Sequence, residues 1–291
     1  MLTSFQASPT TEVMVYFCPL NINEMTLEQA AFIREWLTED ELKKVSRYLQ
    51  AKDRDKGLMV RGYLRGILSL CSAVDLKIVP QDWRFEYGEK GKPELTSELS
   101  ARTGIKFNIS HSGDWLVVAL INVHQASMID DACIELGVDI ERSRESTNIY
   151  PILKHYFTQV ETDALLALPG SCQRGRFFDL WALKESYIKA KGLGLALSLK
   201  SFSFDFSQMI ETTLLLKDSG DKVKKCRSFE HIDLNFHHQD MSIHEAKNWW
   251  VYLAKLDEQY RFALSVSNVD KVTLVTETLS LQSMLAKLNT L

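Results

Sequence analysis

The stretch from Phe178 to Gly192, FDLWALKESYIKAKG, constrains this chain more than any other. Leu180, Leu183, Tyr187 and Ile188 recur at three- and four-residue spacing, which predicts one apolar helical stripe. Gly192 stands where a helix C-terminus favours a left-handed residue. On such a helix Glu185 and Lys189 share a face. Taken alone, an acid followed four residues later by a lysine is a surface pair worth about 0.2–0.5 kcal/mol. A second acidic stretch changes the reading. In Ile134–Glu141, IELGVDIE, the even positions are apolar and the odd ones are Glu, Gly, Asp and Glu, a strict strand alternation that turns Asp139 and Glu141 the same way. Two carboxylates on one strand face repel unless a cation lies between them, so a divalent ion is a natural occupant, although an exposed polar face has the same pattern. If Glu185 joins them, three hard oxygen donors suit magnesium, which keeps several waters and takes phosphate oxygens.

Composition limits the alternatives. The 291 residues are 45% apolar and 25% charged, enough for two modest domains or one large one. A net charge of -4 excludes a chain that coats nucleic acid or anionic membrane as a whole. The five cysteines are scattered and form no CxxC pair, which predicts reduced thiols. The longest apolar run, Trp115–Ile121, is too short to span a bilayer, and no charged-then-apolar leader opens the chain, so a cytoplasmic protein is expected.

Along the chain, Val13–Phe17 reads as a strand and Thr26–Leu37 as a helix capped by Thr26. A helix follows Thr38 with acids at its start. Eight cations then fall between residues 43 and 65, including Lys44 and Arg54. They form either a solvated helix face or a seat for a polyanion. Residues 60–73 predict a buried helix. Gly88–Pro93 is turn chemistry that holds Lys92 in a constrained loop, Ile105–Ile109 reads as a strand, and Ser110–Gly113 as a turn carrying His111. We expect a junction between two halves within 122–135, a helix over 157–168 with Val160, Leu165 and Leu168 facing a core and Pro169-Gly170 ending it, and a polar, histidine-bearing insertion over 217–247. Strands at Trp249–Leu256 and Phe262–Val266 and a short terminal helix near Met284–Leu288 complete the reading. No GxGxxG, P-loop or GxSxG is present. Three acids with scattered cations describe a phosphoryl-transfer site, where positioning and charge neutralisation carry the chemistry.

Four blocks in order, Gly91-Lys92-Pro93, Phe107–Ser112 (FNISHS), Gly137–Glu141 (GVDIE) and Trp181–Lys189 (WALKESYIK) with Gly192 and Gly194, resemble the 4′-phosphopantetheinyl transferases of the broad-specificity, surfactin-synthetase-activating type. The resemblance implies an α+β monomer of two similar halves related by a pseudo-twofold, residues 1–127 on the coenzyme A nucleotide side and 128–291 on the metal side. Each half would carry a small antiparallel sheet packed on helices, with the active site in the cleft between them. It implies magnesium held by Asp139, Glu141 and Glu185, and phosphate and nucleotide contacts from Lys189, Ser110, His111 and Lys92. Lys44 and Arg54 match more loosely, and Gly57 stands where some members have a hydroxyl. The implied reaction transfers phosphopantetheine from coenzyme A to a serine of an apo acyl or peptidyl carrier protein, with Glu185 as base. Two other readings remain beside it, a non-catalytic carrier-binding scaffold and a magnesium-dependent phosphotransferase acting on another nucleotide.

Overall fold

Threonine caps set the helices of the computed structural model, which describes residues 10–125, 134–218, 220, 222–237, 248–269 and 271–290. Thr26, Thr38 and Thr158 each accept from the amide three residues on, while Gln29, Glu41 and Glu161 reach back to the cap amide. These boxes start α1 (Leu27–Trp36), α2 (Glu39–Ser46) and α6 (Gln159–Leu166). The basic run therefore spans two helices, α2 and α3 (Ala51–Cys71), joined through a link at residues 47–50. The helix read as 157–168 starts at its Thr158 cap, and Val160, expected in the core, is exposed. Pro169 caps α7 (Gly170–Lys191) rather than ending α6, so the helix around WALKESYIKAKG is 22 residues long. It stops at Gly192, whose φ of 68° is the left-handed conformation predicted for it.

The strands make one nine-stranded sheet in place of the expected pair of small ones. β1 (Thr11–Pro19), β4 (Ile105–Ser112), β5 (Trp115–Asn122), β6 (Leu136–Arg142), β8 (Ile210–Asp218), β9 (Val223–Glu230), β11 (Trp249–Lys255), β12 (Tyr260–Ser267) and β13 (Val272–Thr278) run in the order β4-β5-β1-β13-β8-β9-β11-β12-β6. β13 joins the two ends of the chain by pairing parallel with β1, Val13 opposite Leu274. β8 and β9 lie in mid-sheet, which corrects the reading of 217–247 as an insertion; residues 238–247, with His238 and His244, fall outside the described residues. Their polar, exposed outer faces had hidden the strand pattern, while Leu214, Leu216 and Cys226 are buried within. The turn around Lys92 links a separate hairpin of β2 (Phe85–Tyr87) and β3 (Pro93–Leu95). β7 (Phe202–Asp205) pairs with β10 (Asp233–Phe236) in another. α4 (Ser97–Thr103), α5 (Ile149–Tyr156) and α8 (Leu281–Leu288) complete the described elements.

Three apolar clusters fill this frame. One joins α1 and α3 to the outer side chains of β4 and β5, with Leu281 and Met284 of α8 returning to it from the end of the chain. Another lines the inner face of the sheet, from Val13 and Phe17 to Val138, Phe262 and Leu264. The third packs α5, α6 and α7 on Val251, Leu253 and Ala263 of β11 and β12. Cys18, Cys71, Cys172 and Cys226 are free thiols; Cys133 falls outside the described residues. Among the described residues no helix is long and apolar enough to cross a membrane.

β6 ends the strand order, so one of its edges has no strand partner. Side chains from the inner face of β4 take that place. Lys106 Nζ donates to Ile134 O at 3.1 Å, Asn108 Oδ1 accepts from Val138 N at 2.9 Å, and Ser112 Oγ accepts from Arg142 N at 3.2 Å. Side chains on one face of β4 thus meet successive points from Ile134 to the end of β6. On its other side β6 lies backbone-close to α7. A Cβ on Gly137 would overlap Ser186 O and Ala190 N, main-chain atoms with nowhere to move. Lys184 fixes α7 from beneath: fully buried, it donates to Leu199 O at 2.7 Å and Phe202 O at 2.8 Å and pairs with Glu161 at 3.0 Å.

Two stability outcomes follow from these contacts. Gly137→Ala is expected to destabilise the fold by about 1–3 kcal/mol or more, since overpacking here displaces backbone; a melting temperature equal to wild type would contradict this. Lys184→Ala leaves Glu161 buried without its partner and is expected to cost about 3–5 kcal/mol, read as a lower urea midpoint at unchanged slope.

Candidate functional site

Strand alternation and the α7 periodicity bring the predicted acids to one place. Asp139, 3% exposed, projects from the middle of β6. Its Oδ1 accepts from Ser110 Oγ at 2.8 Å and from Lys189 Nζ at 2.6 Å, and Lys189 also reaches Ser110 Oγ at 2.6 Å. Strand, strand and helix therefore converge on one carboxylate oxygen. The other, Oδ2, is buried with no hydrogen-bond partner. A buried lone acceptor of this kind is costly unless something positive or protic comes to it.

Glu141 and Glu185 surround Asp139 electrostatically. Partial burial, then the charges of Asp139 and Glu185, push the Glu141 carboxyl up to about 7 against the pull of Arg144 and Lys189. Burial and Asp139 push Glu185 up as well, with Lys189 opposing. This is the signature of an acid cluster short of positive charge. Among the described residues no three His, Cys, Asp or Glu side chains already stand as a metal-holding group, and the Lys189 ammonium pairs with Asp139 at 2.6 Å. The donor set still fits a hard divalent ion: three carboxylates in mutual electrostatic reach, and one oxygen among them unsatisfied.

His111 lies beside this cluster. It belongs to β4, opposite Leu116, rather than to a turn, since β4 continues through Ser112 before reversing at Gly113. The ring reaches solvent, yet lost hydration and the cations Lys189, Lys56 and Arg61 hold its pKa below the ordinary histidine value. Lys56 and Arg61 are two further cations of the basic run over residues 43–65. Lys56 Nζ donates to Gly113 O at 2.6 Å and so ties α3 to the β4–β5 turn.

Lys92 approaches from the other wall. Its Nζ donates at 3.0 Å to Ala190 O, near the C-terminal end of α7, where carbonyl dipoles favour a cation, and burial pushes its pKa down. The side chain lies against Gly192, at which a Cβ would come within 3.3 Å of Lys92 Cδ. A cavity of about 310 Å³ opens between these walls, lined by Lys90, Lys92, Asn108, Ile109, Glu185 and Lys189 among others.

The remaining two candidates stand apart from the acids. Lys44 lies over the Tyr87 ring, 3.8 Å from its centroid, in a recess of about 420 Å³ lined also by Lys43, Arg47, Arg65 and Arg84. Arg65 is itself anchored at 2.6 Å to Glu41, the acid of the α2 capping box. Arg54 donates to Tyr48 O at 2.8 Å and Leu49 O at 3.0 Å, holding the link between α2 and α3. Asn108 and Ser112 passed unnoticed in the sequence; their signal was the polar alternation Lys106, Asn108, Ser110, Ser112 along a strand whose other face is apolar.

Comparison with known proteins places this arrangement. Residues 135–243 match the 4′-phosphopantetheinyl transferase superfamily, and residues 24–122 match the 4′-phosphopantetheinyl transferase N-terminal family. The 4′-phosphopantetheinyl transferase HetI of Nostoc sp. is 31% identical over 185 residues, 64% of this chain and 70% of that protein. The 4′-phosphopantetheinyl transferase Sfp of Bacillus subtilis is 29% identical over 195 residues, 67% and 78% of the two chains. The human L-aminoadipate-semialdehyde dehydrogenase-phosphopantetheinyl transferase is 27% identical over 238 residues, 79% and 67%. With matches running through both walls of the cavity and a relative above 30% identity, the chain belongs to the 4′-phosphopantetheinyl transferase superfamily.

Proposed function

We propose that the protein moves the 4′-phosphopantetheine arm of coenzyme A onto a serine hydroxyl of an apo acyl or peptidyl carrier protein, using the Asp139 cluster. The transferase activity rests on the family and its named relatives. The observation that carries the site assignment is the Asp139 carboxylate, with one oxygen shared by Ser110 and Lys189 and the other buried and empty-handed between two acids pushed upward.

In this reading Asp139, Glu141 and Glu185 are the residues that would hold magnesium. When bound, the ion would neutralise the pyrophosphate of coenzyme A and stabilise the charge that develops at the transferring phosphorus. Lys189 and Ser110 present a cation and a hydroxyl to phosphate oxygens, and His111, with Lys56 and Arg61 behind it, adds donors for the nucleotide phosphates. Lys92 and the basic recess around Lys44 serve the nucleotide end; Arg54 supports them by holding the α2–α3 link. Glu185 accepts the proton of the acceptor serine, and its upward-shifted pKa makes it the stronger base. The serine oxygen bonds to the phosphorus bearing pantetheine, the anhydride P–O bond breaks, and adenosine 3′,5′-bisphosphate leaves with the electron pair.

The same reading divides the molecule into halves at 1–127 and 128–291, related by a pseudo-twofold, with the cleft between them. In its support, α1 and α3 cover one side of the sheet's outer face, α5 to α7 cover the other, and the inner-face cluster joins them. The last strand and helix return to the first half. A cytoplasmic monomer meeting its carrier without nucleic acid or membrane completes the proposal.

Intact mass spectrometry of an apo carrier with magnesium and coenzyme A tests the reaction. Wild type is expected to add about 340 Da, the mass of the arm, and to lose this activity in EDTA. Asp139→Ala abolishes the addition, and Glu185→Gln lowers its rate by about 10²–10⁴-fold; full activity in either would remove these residues from the site. Glu141 yields an opposite sign for stability. A carboxyl whose folded pKa lies above its unfolded value weakens the fold as pH rises between the two, and the whole penalty is present above about 7. Metal-free Glu141→Gln is therefore expected to be more stable than wild type at pH 8, by about 1–2 kcal/mol after allowance for solvent screening, with the advantage shrinking toward zero as pH falls through 5. A lower melting temperature at pH 8 would refute the strained cluster.

A further inference from the structure

We infer that Asn108 and Ser112 are positioning residues for the transferase site: their side chains, with Lys106, form a seam that sets where Asp139 stands relative to Ser110 and Lys189. The inference rests on the proposed role of Asp139.

Four consecutive inner-face residues of β4 bond the segment that contains Asp139. Lys106 meets Ile134, Asn108 meets Val138, Ser110 meets Asp139 and Ser112 meets Arg142. Both partners advance in the same sense along the chain, so the seam imitates a parallel pairing in which side chains replace one strand's backbone. Two of the bonds end on main-chain N–H groups, at Val138 and Arg142, which bracket Asp139 and Glu141. A backbone amide cannot swing to follow a displaced acceptor as a side chain can. The bonds from Asn108 and Ser112 therefore fix the position of the strand itself, and the Ser110–Asp139 bond is then a consequence.

At the β4–β5 turn Asp114 pairs with Arg142 at 3.9 Å and donates its amide to Tyr260 Oη at 3.1 Å, contacts that hold the Arg142 end of β6; at Val138, beside Asp139, the bond from the β4 side is that of Asn108. β12 holds the far edge of β6, with Val138 opposite Leu264 and Ile140 opposite Phe262, and Gly137 brings β6 against α7. Those two supports locate β6 against the second half of the molecule only. Asn108 is 3% exposed and contributes its acceptor oxygen to Val138 alone in the hydrogen bonds described. Cutting the seam leaves β6 attached to β12 and α7 but frees the distance between Ser110 on one wall and Asp139 and Glu141 on the other. The first property to suffer is then the shared use of a cation and a phosphate by groups from both walls.

The experiment compares Asn108→Ala, Ser112→Ala and Ser112→Thr with wild type and with Asp139→Ala as control. Two readouts are taken with coenzyme A present: the magnesium concentration that gives half of the metal-induced rise in melting temperature, and kcat for holo-carrier formation. We expect Asn108→Ala and Ser112→Ala to raise that magnesium concentration about 10-fold or more and to lower kcat, as loss of groups supporting a metal ligand does. Ser112→Thr, which keeps the accepting oxygen, is expected to return to the wild-type magnesium dependence. Folded Asn108→Ala and Ser112→Ala proteins with wild-type magnesium dependence overturn the inference. So does a fall in kcat accompanied only by a lower melting temperature in EDTA. If Asn108→Ala does not fold, the Ser112 pair decides. An inactive Asp139→Ala beside unaffected seam variants refutes the seam while sparing the site, whereas an active Asp139→Ala refutes the site and the seam with it.

Discussion

The molecule depends on how the unpaired edge of one strand is satisfied. β6 is the last strand of nine, and a buried N–H without an acceptor costs about 1–3 kcal/mol. A further strand could have covered that edge, but it would have filled the space with backbone. Asn108 and Ser112 satisfy the amides of Val138 and Arg142 from β4 instead. Side chains as short as these draw the two walls together while leaving room between them for Ser110, Asp139 and Lys189. The edge that would otherwise be a liability becomes the place where Ser110, Asp139 and Lys189 meet.

α7 is the complementary constraint. Its apolar side is locked by the Lys184 ammonium on Glu161 and two carbonyl oxygens, and its approach to β6 is as close as Gly137 permits. With rotation and separation both fixed, Glu185 and Lys189 face Asp139 from a rigid support. Electrostatics then distributes the roles. Lys189 neutralises one acid of three, so Glu141 and Glu185 carry excess negative charge and hold protons more tightly than exposed glutamates. A site in this condition gains from any divalent cation it admits, and a carboxyl that is reluctant to ionise is suited to taking a proton near neutral pH.

Much of this was legible along the chain. Local patterns carried the caps at Thr26 and Thr38, the α7 stripe ending at Gly192, and the alternation that turns Asp139 and Glu141 together. Patterns that depend on distant partners were not. β8 and β9 resembled an insertion because their outer residues, Lys225 and Arg227 among them, are exposed, and an isolated polar strand has the composition of a loop. Ser110 looked like part of a turn for the same reason: its face of β4 meets β6, thirty residues on, and polar groups are wanted there, whereas His111 lies on the opposite face of the strand. Val160 appeared periodic with its neighbours, yet the helix is short and that side of it meets only water. Lys44 and Arg54 belong to one run of cations in sequence, but the link between α2 and α3 separates them and assigns Arg54 to two backbone carbonyls.

The sequence by itself determined the residue types, their helical or strand facing, and the family, because these follow from spacings of two, three and four residues that any chain displays without folding. Only the tertiary structure decided that β1 and β13 close the sheet, that Asp139 has one shared oxygen and one orphan, and that Asn108 and Ser112 hold β6 to β4. Each of these is a contact between residues tens to hundreds of positions apart. Hydrogen bonds and buried charges of that kind are set by which surfaces the hydrophobic core brings together, and local periodicity does not encode that.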